Sequence, residues 1–154
     1  EKPKPPQRMG EIGLSNFAPY LMNRIMGRYN ADLRQEMTGL GLTTPKMRAL
    51  AVLSVIDALP ISELAVYAVV EQSTLSRALD QLATDGLVRR ESDPNDSRVT
   101  RIGITEAGRS ALDQLWPSMA QSYAQMFKDI PADEQKAFVT TLQKMLKNIR
   151  KHDY

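Results

Sequence analysis

The chain of 154 residues has no cysteine and one histidine, His152. Without cysteine it can build no disulfide scaffold, no thiolate-ligated zinc site and no thiol redox sensor. A lone histidine supplies neither metal-ligand spacing nor a nucleophile–base pair, and no phosphate-binding loop is present. No metal, no cofactor and no enzymatic activity are therefore expected. Aromatic residues make up only 6% of the chain, with Trp116 the single tryptophan. No apolar run approaches the ~20 residues needed to span a bilayer, and no signal-peptide pattern is seen. A cytoplasmic protein without membrane contact is the expectation.

Charge of one sign is also scarce. Twenty basic residues face 18 acidic ones, a net charge of +2, too little for bulk attraction to nucleic acid. Residues 43–105 carry seven basic and eight acidic groups. If this segment contacts DNA, individually placed arginines must make the contact.

Hydrophobic periodicity divides the chain. Residues 1–13, EKPKPPQRMGEIG, are polar and proline-rich and are expected to form a flexible tail. Over residues 14–41, apolar residues at 14, 17, 21, 25, 29, 33, 37 and 40 share one face of a long helix. Pro19 is tolerated only in its first turn, so regular helix should begin near Phe17. Thr43 then offers an N-cap and Pro45 a first-turn proline for a short helix. Two more short helices, about 61–67 and 72–85, are joined by a brief turn, a helix-turn-helix pattern. Gly86 ends the second.

Next the period changes. LVRRES and VTRIGIT flank Asp93-Pro94-Asn95-Asp96, which reads as a β-hairpin. A helix-turn-helix followed by a hairpin is a winged helix, here over residues 42–105. Thr105 opens a long helix with an apolar stripe and an internal Pro117, where a bend is expected. After IPADE a last helix carries Phe138, Leu142, Met145 and Ile149. The fold class is thus mainly α with a small β-hairpin: a winged helix-turn-helix between long helices at 14–41 and 106–154. The winged helix can cover only part of those apolar stripes, and the remainder is too large a patch for a monomer. A two-fold dimer formed by the flanking helices is the simplest solution.

Taken alone, the helix at 72–85 is an amphipathic surface helix, and Arg98 is a solvated residue after a turn. Together they suggest a DNA reader. Gln72, Ser73, Thr74, Ser76 and Arg77 would face the major groove. Arg98 at the wing tip would enter a minor groove, and Arg89, Arg90 and Arg101 would touch phosphates. Asp96 would hold either Arg98 or Arg77 in position.

The segments LTTPKMRAL (42–50), SELA (62–65), STLSRALDQLATDGLVRRESDPNDSR (73–98) and IGITEAG (102–108) resemble the MarR family of winged-helix transcription regulators. The resemblance implies a homodimer on a palindromic operator, released by a small, often phenolic or anionic, ligand. It places Ser73, Thr74 and Arg77 on the recognition helix and Asp96 and Arg98 in the wing. The sequence departs from the family pattern at Lys46, at Val69 (often glycine) and at Glu71, which takes the usual serine cap position.

For the ligand, Tyr20, Arg24, Met47, Arg48 and Trp116 lie on elements expected to meet near the junction of the two regions. Arginine with an aromatic ring suits an aromatic carboxylate. The function expected is a dimeric, ligand-released repressor of double-stranded DNA. The alternatives are a constitutive DNA-binding factor without an effector and a winged helix used for protein contact.

Overall fold

The computed structural model describes residues 1–5 and 8–154. In chain order the helices and strands are α1 (Met9–Ile12), α2 (Ala18–Gly39), α3 (Thr44–Val55), β1 (Leu59–Pro60), α4 (Ile61–Ala68), α5 (Gln72–Thr84), β2 (Val88–Ser92), β3 (Thr100–Ile104), α6 (Glu106–Met126) and α7 (Ala132–Ile149). A 3-10 turn, Leu14–Asn16, precedes α2.

The expected stops and starts hold. Pro19 lies in the first turn of α2. The Thr43 hydroxyl accepts from the Lys46 N–H at 3.5 Å, and Pro45 sits at the start of α3. Gly86, with φ +74°, turns the chain out of α5. The α6 N-terminus is tied twice through Thr105, whose hydroxyl accepts from the Gly108 N–H and donates to the Gly86 carbonyl. Pro117 sits inside α6, which continues to Met126. A proline removes one ladder bond, and the rest of a long helix can carry it.

Two elements escaped the sequence reading. One is α1, inside the segment expected to be tail. The other is β1, which pairs Leu59 with Ile102 and Pro60 with Arg101, giving an antiparallel sheet in the order β1-β3-β2. A proline on this short edge strand removes no central ladder bond. The hairpin register runs from Val88 opposite Ile104 to Ser92 opposite Thr100.

The core lies in the winged-helix lobe. Leu50 and Leu53 of α3, Leu64 of α4, Leu75, Leu79 and Leu82 of α5, and Ile102 of β3 are fully buried. Leu33 and Met37 of α2 and Leu115 of α6 anchor the long helices to it. Each such side chain contributes about 1.5–3 kcal/mol by leaving water. Away from the lobe the apolar stripes stay uncovered: α7 has no buried residue, and Ile149 is 78% exposed. Among the described residues no helix is long and apolar enough to cross a membrane.

Candidate nucleic-acid interface

Helix α5 buries Leu75, Ala78, Leu79 and Leu82 and so must turn its other face outward. Gln72, Ser73, Arg77 and Asp80 are exposed there, with Thr74 and Ser76 half-buried. The five polar residues expected at the groove thus lie on α5, with Gln72, Ser73 and Arg77 exposed. Arg77 has no hydrogen-bond or ion-pair partner among the described residues. Its guanidinium is free for an external acceptor.

The turn before α5 solves the missing glycine directly. Val69 itself takes the left-handed conformation, φ 54° and ψ 51°, which a β-branched residue adopts only under strain. Its carbonyl accepts from Arg48 Nη1 at 3.1 Å, fixing the turn to α3. Glu71 sits at the N-cap, but its side chain caps no backbone N–H; it accepts instead from the Ser73 hydroxyl at 2.9 Å. Glu71 thus occupies the serine position without performing the serine's capping role.

The wing tip is built around two carboxylates. Asp93 Oδ1 accepts from the N–H groups of Asn95 (2.8 Å) and Asp96 (3.2 Å), closing the turn. Asp96 accepts from Arg98 three times: from the backbone N–H at 3.0 Å, Nε at 3.1 Å and Nη2 at 3.2 Å. The Arg98 side-chain bonds, and then its backbone bond, hold the Asp96 carboxyl below the ordinary aspartate range. Asp96 therefore grips Arg98 and not Arg77. The Arg98 side chain remains 88% exposed, projecting from the tip.

The other wing arginines have partners within the lobe, although Arg89 and Arg90 stay exposed. Arg89 forks onto Asp57, with Nη2 at 3.0 Å from both carboxylate oxygens, and also donates to the Ile104 carbonyl. It lies across Gly103, where a Cβ would meet its guanidinium carbon at 2.5 Å. Arg101 donates to the Ala58 carbonyl and comes within 3.8 Å of Asp93. Arg90 pairs with Asp80, tying the wing to α5. Arg89 and Arg101, expected at phosphates, are held in this structure by Asp57 and Ala58, the residues that lead into β1. The sequence reading missed both partners because a strand of two residues leaves almost no pattern.

These pairs also bear on the charge balance. Asp57, Asp80, Asp93 and Asp96 each face an arginine of the hairpin. Half of the acidic groups of residues 43–105 are thus paired within the lobe, although the excess of one acid over base is unchanged, while the Arg77 and Arg98 side chains stay exposed.

The five ligand candidates do not converge. Met47 is core, and Arg48 serves the Val69 turn. Tyr20 accepts from Arg24 Nη1 at 3.3 Å on α2. Arg24 lines an open cleft of about 660 Å³ between α2 and α6, along with Arg28, Tyr29 and Gln121. Burial pushes the Tyr29 phenol above its ordinary range. Trp116 lines a separate cavity of about 410 Å³ between α3 and α6, with Val55, Arg109 and Met119. Arg109, which the sequence reading did not single out, donates to the Ser54 carbonyl at 3.2 Å across this cavity's wall. Among the described residues no group of histidine and carboxylate side chains could hold a metal.

Comparison with known proteins agrees with this geometry. Residues 42–100 match the MarR family model. A solved transcriptional regulator of the MarR family from Silicibacter pomeroyi is 60% identical with a TM-score of 0.92, covering 96% of this chain and 100% of that one. The HTH-type transcriptional repressor IacR of Pseudomonas putida is 28% identical over 136 residues, 88% of this chain and 79% of that protein. CouR from Rhodococcus jostii RHA1, solved bound to p-coumaroyl-CoA, is 24% identical with a TM-score of 0.75, covers 86% of this chain and 94% of its own, and shares the fold.

Proposed function

The chain belongs to the MarR family of transcription regulators, and from that premise we propose that it is a homodimeric repressor, binding a palindromic operator and released by a small aromatic or anionic ligand. The observation that carries the DNA reading is the wing tip: Arg98, 88% exposed, is held by Asp96 while Arg77 stands free on α5. Two such α5 helices would enter successive major grooves about one helical turn apart, with the wings over the flanking minor grooves.

The dimer reading is supported by the bare apolar stripes. On α2, Leu21, Ile25 and Met26 are exposed; on α7, Phe138, Leu146 and Ile149 are exposed. A two-fold partner covers both stripes at once.

The effector reading is supported by the α3–α6 cavity. It offers an indole face on Trp116, 59% exposed, and the Arg109 guanidinium. That pairing suits a planar ring carrying an anion. CouR's p-coumaroyl-CoA joins an aromatic acyl group to an anionic carrier, in line with this chemistry. The ligand acts only if it binds the two dimer shapes unequally.

The deciding experiment is selection from a random duplex library at two salt concentrations. A selected palindrome whose affinity falls steeply with salt is the expected result. Failure to bind duplex DNA at low salt overturns the DNA reading. A panel of aromatic carboxylates, followed by the fluorescence of the single tryptophan, tests the cavity: no quenching by any member removes it as the effector site.

A further inference from the structure

We propose that Glu71 is a specificity-determining residue that selects an exposed amino group, cytosine N4 first and adenine N6 second, on the floor of the major groove. This rests on the operator-binding reading above and extends it to one base.

The geometry is unusual for a helix start. Glu71 is exposed and directly precedes α5, yet its carboxylate neither caps the helix nor pairs with a cation among the described residues. Its contact is the Ser73 hydroxyl, which donates to Oε1 at 2.9 Å. The single serine proton is therefore directed at Glu71, and both side chains present only acceptors to an incoming ligand. Arg77, one turn further along the exposed face, presents only donors.

An acceptor pair at this end of a reading helix has few partners in DNA. Phosphates repel it. In the major groove guanine offers N7 and O6, both acceptors, and thymine offers O4 and a methyl group. Only the amino groups of cytosine and adenine donate, and adenine sets its N7 acceptor beside the donor. Cytosine is the best match. The Ser73 bond also restrains the long glutamate side chain before DNA arrives, lowering the entropy lost on contact. Glu71 thus discriminates by rejecting guanine and thymine as much as by accepting cytosine, the repulsive half of specificity.

The test compares motifs selected from a random duplex library by the full chain and by its Glu71→Gln and Glu71→Ala variants at one salt concentration. The wild type should select a half-site with cytosine at one position. Glu71→Ala should lose that preference alone, by about tenfold or more in base discrimination, while binding unspecific DNA at least as tightly. Glu71→Gln retains the side-chain shape and should shift the position toward adenine, which a neutral amide can pair in bidentate fashion. If the wild type selects a motif and both variants select the same one, Glu71 reads no base and this inference falls while the operator reading stands. A lower melting temperature for Glu71→Ala with an unchanged motif would assign Glu71 to the helix dipole and overturn the proposal equally. If the wild type selects no sequence, the operator reading itself fails.

Discussion

Replacing Arg98 by alanine tests the wing most directly. The side chain is 88% exposed, and its partners are the Asp96 carboxylate oxygens. Folding stability should hardly change, because an exposed pair held by solvated groups adds little. DNA binding should change in a specific way. Each phosphate neutralised contributes about 0.9 to the slope of log K against log salt. A dimer has two wings, so losing one contact per wing should flatten the slope by about 1.8. Between 50 and 200 mM salt, the ratio of wild-type to variant affinity should therefore fall by about 12-fold. Fluorescence anisotropy with a labelled operator at four salt concentrations would read this. Asp96→Asn makes the complementary test. It removes the negative charge and the Oδ2 acceptor of Arg98 Nη2, so the grip on the guanidinium loosens. If Asp96 aims the arginine, unspecific binding should tighten while the ratio of operator to unspecific affinity falls. Parallel salt slopes for wild type and Arg98→Ala would refute the wing contact. A rise in operator selectivity for Asp96→Asn would refute the aiming role.

Three further outcomes follow from local geometry. The Asp96 carboxyl, depressed by the Arg98 bonds, should titrate by NMR below the ordinary ~3.9 and return toward it in Arg98→Ala. Because its folded-state pKa is lowered, its stabilising effect is complete above the unfolded value and is lost only as pH falls through the folded one; a midpoint at or above the ordinary value would contradict the hydrogen bonding. Gly108→Ala would set a Cβ 2.1 Å from the Leu87 carbonyl oxygen and 2.8 Å from Ile104 Cγ1, so urea denaturation should show a loss of about 1–3 kcal/mol or more, and wild-type stability would mean that α6 does not pack as described. Val69→Gly relieves the left-handed valine, 77% exposed, and should stabilise by about 1 kcal/mol after glycine's entropic cost; a loss of stability would show that the turn is unstrained.

Legibility in the sequence tracked the range of the interactions. Helix starts at Thr43 and Thr105 and the stop at Gly86 were readable because each is decided within about one turn. The hairpin was readable from its turn chemistry and alternation. The arginine partners were not. Arg89 meets Asp57 across 32 residues and Arg101 meets Ala58 across 43, separations over which no periodic signal survives. Local spacing could only narrow the Asp96 partner to Arg98 or Arg77; three bonds to Arg98 decide it. The ligand candidates dispersed for the same reason. Arg24 and Trp116 line different cavities, and Arg109 joined the second through a contact to Ser54 across 55 residues.

That second cavity shares a helix with the reading head, which gives the proposed effector a route to DNA. Ala51, Ser54 and Val55 of α3 line the cavity. Arg48, one turn earlier on α3, donates to the Val69 carbonyl in the turn that launches α5. A ligand that tilts α3 against α6 would pull on that turn through Arg48, provided it favours one of the two arrangements. Arg48→Ala cuts this link while leaving the cavity lining and the outward face of α5 in place. The variant should bind the operator within a few-fold of wild type and bind the effector alike, yet show a smaller change in operator affinity when the effector is added. A coupling of 1–3 kcal/mol, typical of linked sites, should fall by a measurable part of that range in paired titrations with and without ligand. Because linkage is reciprocal, operator DNA must also lower effector affinity less in the variant. Unchanged coupling in both directions would show that the signal does not pass through the Val69 turn, leaving the proposed dimer contact of α2 and α7 as its route.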